Sequence, residues 1–97
     1  MTRIKIEHLL WNEQNKNHIK KHNVSISEVE AAGQKLIYHR LTYEGRYLAI
    51  GRSGKRLITL ILRRKKSKTY FMITARDASK KERENIYAKE KKQDSRI

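Results

Sequence analysis

Three consecutive residues, Lys20, Lys21 and His22, set an imidazole beside two ammonium groups, and Arg76, Lys80, Lys81 and Arg83 set four more cations within eight positions. An imidazole exchanges its proton near neutral pH. Arginine presents a planar fork that grips phosphate oxygens two at a time. Cleaving an RNA phosphodiester without a metal needs a base for the 2′-hydroxyl proton. It also needs cations to hold the charge on the pentavalent phosphorus, and an acid for the leaving 5′-oxygen. These residues supply those types. His22, or a lysine near it, is the expected base or acid, and Arg52 and Arg76, each at a strand end, are the expected clamps. By type, His22, Arg76, Arg52, Lys21 and Arg83 are the candidates for such catalysis, and Lys20, Arg46, Arg56, Lys80 and Lys81 the candidates for RNA contact. Free amides at the start of the last helix would add an anion site beside Lys80 and Lys81.

The groups sit in a focused positive field. The 97-residue chain carries a net charge of +14. From Arg46 to Arg76 there are ten lysines and arginines and no acidic residue, leaving +3, −1 and +2 on residues 1–23, 24–45 and 77–97. Such a field captures polyanions and does little for fold stability, so nucleic acid is the first partner to consider. The run Arg63 to Lys68 reads as a hairpin loop able to grip phosphate. The chain has no cysteine, which rules out disulfides and thiolate metal sites and fits a cytoplasmic protein. No cofactor or metal is called for. His18 and His22 stand one helical turn apart, yet no third ligand accompanies them. The longest apolar stretch, about Leu57 to Leu62, is far short of the roughly 20 residues of a membrane span.

The elements that must position these residues are legible in order. Ile4, Ile6 and His8 alternate with Lys5 and Glu7, predicting a first strand to about Leu10, at a sheet edge. The spacing of Trp11, His18, Ile19 and His22 predicts a helix over 13–22 with Asn12 as its cap and Asn23 in the left-handed turn after it. Ser25-Ile26-Ser27-Glu28 is a capping box, with Val24 and Val29 as its staple and Gly33 as its stop. Four strands follow, Leu36 to Tyr43, Tyr47 to Gly51, Leu57 to Leu62 and Thr69 to Ala75. Their short connections predict an antiparallel sheet, and Leu57 to Leu62, apolar on both parities, predicts a central strand covered on both faces. Ser79-Lys80-Lys81-Glu82 opens a last helix to about Lys89, before a polar tail frays from about 91. The expectation is one α+β domain over residues 1–97, in the order β-α-α-β-β-β-β-α.

Several segments together carry a resemblance. Trp11-Asn12, Ile19-Lys20-Lys21-His22-Asn23-Val24-Ser25, Tyr47-Leu48-Ala49-Ile50-Gly51-Arg52 and Ile73-Thr74-Ala75-Arg76-Asp77-Ala78-Ser79-Lys80-Lys81-Glu82-Arg83 resemble the BrnT family of toxin ribonucleases. The resemblance spans about residues 11–90. It implies a RelE-like fold, metal-independent cleavage of mRNA, free or on the ribosome, that inhibits translation, and a cognate antitoxin encoded nearby. The chain departs from the family pattern at Asn12, where an acidic residue is usual, and at Asn23, where glycine is usual. It departs again at Tyr87, which follows Arg83 by four residues instead of three, about 100° of helix.

Other readings of the same residues stay open. His22 could simply end a helix against its dipole or pack under Trp11. Tyr47 and Tyr70 could stack on bases or lie in the core. The charge alone would serve a non-catalytic RNA- or DNA-binding module equally well. It would also serve a protein whose basic face meets an acidic partner.

Overall fold

Each helix begins where the sequence supplies a cap. In the computed structural model, which describes residues 6–94, α1 (Glu13–Lys20) starts at Asn12, whose side chain accepts from the Asn15 amide at 2.8 Å. The helix closes with Asn23 at φ 57°, its amide donating to Lys20 O at 3.1 Å while Val24 N donates to Ile19 O at 3.2 Å. This left-handed closure, at the residue expected to make it, satisfies the end carbonyls and leaves residues 21–22 outside the helix expected there. α2 (Ile26–Gln34) has both arms of its capping box, Ser25 with Glu28, and the Val24 and Val29 staple is buried. Gly33 does not stop the helix; it lies buried inside the last turn, facing Ile6 and Leu9 near the N-terminus.

The chain then forms β2 (Leu36–Leu41), β3 (Arg46–Ser53), β4 (Arg56–Lys66) and β5 (Thr69–Asp77), with a short 3-10 turn at Tyr43–Gly45 before β3. With β1 (His8–Leu10) these make one sheet in the order β1-β5-β4-β3-β2. β2 to β5 are antiparallel, as their hairpins require. β1 is the expected edge strand but runs parallel to β5, His8 opposite Thr69. The sheet is therefore mixed. β1 reaches its neighbour through both helices and three strands, and no hairpin fixes its direction. Ile4 and Lys5 of the expected strand lie outside the described residues.

β4 is central, and both of its faces are covered. α1 and α2 lay Ile19, Val24, Val29 and Ala32 against Ile58, Leu60, Leu62 and Met72. On the other face α3 (Lys80–Asp94) brings Ile86 against Leu48, Ile50 and Leu57. α3 has the capping box foreseen at Ser79 and Glu82 but runs to Asp94, past the expected end at Lys89. Residues 90–94 contain neither glycine nor proline and are mostly good helix formers, so most of the expected frayed tail is helix.

The basic run expected as a loop is mostly strand. Arg63 to Lys66 continue β4, and only Ser67 and Lys68, the latter at φ 61°, make the turn. Its side chains therefore alternate between the two faces, Arg63 opposite Phe71 and Arg64 opposite Tyr70. Among the described residues no helix is long and apolar enough to cross a membrane.

Candidate nucleic-acid interface

Successive strand residues point to opposite faces, so the register of β2 to β5 sorts the arginines. The α3 face receives Arg40, Arg46, Arg52, Arg63 and Arg76. Arg46 lies opposite Arg63, Arg40 opposite Leu48, Leu48 opposite Ile61, Ile61 opposite Thr74, and Thr59 opposite Arg76. α3 is fastened over the end of this face that carries Arg52 and Arg76. Arg46 and Arg63 occupy the other end, beside the hairpin turns. Between α3 and the sheet lies a cleft of about 400 Å³ bordered by Tyr38, Arg40, Asn85 and Lys89.

The fastening is electrostatic. Arg76 Nη1 donates to Glu82 Oε1 at 2.8 Å and Nη2 to Oε2 at 3.1 Å. Oε1 also accepts from the Ser79 amide at 2.8 Å and from the Thr59 hydroxyl at 3.0 Å. Burial alone would push the Glu82 carboxyl up, but the bonds from Arg76, Ser79 and Thr59 outweigh it and hold the pKa at about 2. Arg76 is pushed up in turn by the Glu82 carboxylate. At the far end of α3 Arg52 Nη2 reaches both Glu90 oxygens, at 2.7 and 2.6 Å.

A depressed carboxyl pKa contributes stability that is present above the unfolded value and lost as pH falls through the folded one. For Glu82 the window runs from its ordinary 4.5 down to about 2. We expect melting temperature to be level near neutrality and to fall through this window. Glu82 should account for on the order of 2 kcal/mol of the loss after screening. Thermal melts of wild type and Glu82→Gln from pH 7 to 2 test this. Equal acid slopes in both proteins would remove Glu82 from the account.

Two atoms on this face stand out. Arg46 Nε and Thr74 Oγ1 are buried and find no hydrogen-bond partner among the described residues. Leaving a buried polar atom unpaired costs roughly 1–3 kcal/mol.

The remaining sequence candidates are elsewhere. Lys20, Lys21 and His22 are exposed at the end of α1, on the opposite side of the sheet from Arg52 and Arg76, and the His22 ring leans on His18 with centroids 5.7 Å apart. The sequence grouped His22 with Arg52 and Arg76 in one cradle, and the sheet separates them. No third metal-ligating side chain joins the histidine pair among the described residues. Arg56 is a strut, bonding Asn23 O at 2.9 Å, Glu28 Oε2 at 2.7 Å and Asp77 Oδ1 at 2.5 Å, so that it ties the α1–α2 junction to the start of β4 and the end of β5. The Arg56 bond holds the Asp77 carboxyl low, and the Ser25 amide, with Arg56 behind it, does the same for Glu28. Lys80 and Lys81 are exposed on the first turn of α3, and Arg83 Nη1 donates to Ala78 O at 2.6 Å.

Tyr47 and Tyr70 meet edge to face, centroids 6.1 Å apart, and pack into the α1–α2 side of the core, so neither is a stacking platform. Tyr87 is 50% exposed, while Ile86, three residues after Arg83, is buried against the sheet. Sequence reading missed Arg40, Arg63 as a member of a sheet face, Lys89, and the second role of Glu82. The signal for Arg40 was hairpin parity with Leu48. The others depend on strand extension and on which turn of α3 meets the sheet.

Comparison with known proteins was made against these features. The profile of the ribonuclease toxin BrnT of type II toxin-antitoxin systems matches residues 11–82. The 1.1 Å crystal structure of the Brucella abortus ribonuclease toxin BrnT is similar to this fold, with a TM-score of 0.59 and 26% sequence identity, covering 79% of this chain and 99% of that one. A search of curated proteins found no match.

Proposed function

Because this chain belongs to the BrnT family, the ribonuclease toxins of type II toxin-antitoxin systems, we propose that it cleaves mRNA without a metal and thereby stops translation, with the scissile phosphate held on the α3 face. The observation that supports this reading is the set of arginines on that face, which also holds the two unpaired polar atoms, Arg46 Nε and Thr74 Oγ1. Arg76 takes the oxygens of the scissile phosphate, and Arg46 and Arg63, at the other end of the face, take neighbouring phosphates of the same strand. The 2′-hydroxyl gives its proton to water as its oxygen attacks the adjacent phosphorus, and the bond to the 5′-oxygen breaks as that oxygen takes a proton from water, giving a 2′,3′-cyclic phosphate and a 5′-hydroxyl. Charge builds on the equatorial oxygens, and preorganised guanidinium groups stabilise it at little reorganisation cost. Glu82 is a positioning residue that keeps the Arg76 fork in register with Thr59 on the sheet. An acidic segment of the cognate antitoxin would compete for the same arginines.

This reading gives His22 no part in the chemistry. His8 lies on β1, His18 and His22 on α1 or just past its end, and His39 on β2 is directed toward the Tyr47 ring, on the other face. The test is purified, partner-free chain incubated with a defined RNA in excess EDTA, with product ends mapped. Wild type and His22→Ala are both expected to yield fragments ending in 2′,3′-cyclic phosphate, with no bend in the rate near pH 6.5, where an imidazole base would produce one. Loss of cleavage in a folded His22→Ala protein would return the imidazole to the site. Intact RNA retarded on a gel would favour a binding module instead.

A further inference from the structure

We propose that the cleft between α3 and the sheet holds one unstacked nucleobase of single-stranded RNA, an inference that rests on the RNA-cleaving reading of this face. Its floor is apolar: Leu48, Ile50 and Ile86 are 8%, 2% and 2% exposed. One wall is the Tyr38 ring. Lys89 fixes that wall, its Nζ 5.7 Å from the ring centroid and donating to Ile37 O at 3.0 Å. The rim carries Asn85, whose amide both donates and accepts as the edge of a base does. A buried apolar floor, an aromatic wall and an amide at the mouth are what a splayed-out base requires.

Size and surroundings select this occupant. About 400 Å³ falls within the range of sites for small organic groups, roughly 300–1,000 Å³. A base inside a duplex is stacked on both sides and offers only its edge to a groove, so it cannot enter. Arg40 borders the cleft directly. Tyr38, Ile50, Thr59 and Arg76 form one row across the sheet. Arg76 therefore lies two strand spacings from the floor at Ile50, about 10 Å. Arg40 faces the phosphate on one side of a base in the cleft; on the other side Glu82 also lines the cleft and holds both Nη groups of Arg76, which meets the phosphate with its remaining N–H groups. That pairing of an apolar slot with flanking cations distinguishes a nucleotide from an uncharged apolar ligand.

The test uses the purified full chain and a 2′-O-methyl oligonucleotide, which cannot be cleaved through its 2′-oxygen, intact or with an abasic site at each position in turn. In wild type one abasic position is expected to weaken binding by about tenfold, the loss of one stacked base. In Asn85→Trp, which plugs the mouth from an exposed position, and in Tyr38→Ala, that difference should shrink toward one. The steep fall of affinity with salt should persist in both, since the arginines are untouched. A wild-type difference near one with salt-dependent binding intact would overturn the base site and leave the arginine face standing. A difference undiminished in both variants would place the base elsewhere and also overturn it. No salt-dependent binding of either oligonucleotide would overturn the base site together with the RNA reading of the face.

Discussion

An Arg76→Ala chain is expected to lose RNA cleavage by about a hundredfold or more while keeping its fold, the size of effect seen when one preorganised charge-stabilising donor is removed from a site. Arg76 is the sequence-predicted clamp that the structure places on the arginine face in a two-pronged geometry, with 37% of its side chain exposed. Its removal leaves the Glu82 carboxylate with the Ser79 amide and the Thr59 hydroxyl. The stability cost is therefore on the order of 1 kcal/mol, a few degrees of melting temperature for a domain of this size. Arg76→Lys keeps the charge and loses the fork. It should recover folding stability and only a small part of the rate, because one ammonium cannot hold both Glu82 oxygens and still present a fixed N–H to the phosphate. Single-turnover cleavage of a defined RNA, measured beside thermal melts, separates the two effects. A folded Arg76→Ala protein that cleaves at the wild-type rate would take Arg76 out of the chemistry.

What could be read from the sequence was local, and what could not was pairwise. The three caps, Asn12, Ser25 with Glu28 and Ser79 with Glu82, act within a single turn and were all visible. So was the double-sided burial of β4, because two parities of apolar residues admit one arrangement in a sheet. The extension of β4 through Arg63 to Lys66 was not. Four cations carry no strand signal of their own, and the ladder to β5 is what holds them extended. Arg56 shows the same limit in the site. Its basic surroundings suggested RNA, but its partners Asn23 and Glu28 at the α1–α2 junction and Asp77 at the end of β5 come from two segments distant in sequence, and only the fold brings their acceptors together. Glu82 was seen as a cap and not as the partner of Arg76, since the second role requires β5 to end where α3 begins. The face of the sheet on which an arginine falls depends on where strands begin and where bulges lie. The shift between Ile61 and Leu62 alone reverses the parity of β5 beyond it, setting Thr74 and Arg76 on the α3 face.

The largest stability effect is expected far from any charge, at Gly51. Its φ is not in the left-handed region, so an alanine would be tolerated by the backbone itself. The obstacle is space: a Cβ at this position would overlap the carbonyl oxygen of Ala32 and lie 2.7 Å from its carbonyl carbon. The last turn of α2 rests directly on β3 there, and Arg52 N donates to Lys35 O at 3.2 Å just beyond. The neighbour is backbone, with no flexible side-chain end that could swing aside. Relief requires α2 to lift from the sheet, which would open the packing of Val29 and Ala32, both fully buried, against Ala49 and Ile58. Overpacking a well-filled core costs typically 1–3 kcal/mol, and more where a backbone must move. A domain of this length has only about 5–10 kcal/mol in total. Gly51→Ala is therefore expected to lower the melting temperature by 15 °C or more, or to yield no folded protein. The control is Gly54→Ala in the β3–β4 turn. A Cβ there meets nothing within 4 Å, but φ is +60°, so its cost is conformational and about 1 kcal/mol. Equal losses at Gly51 and Gly54 would mean that α2 does not rest on β3 as closely as the structure places it. The arginine face opposite would then lack a rigid floor.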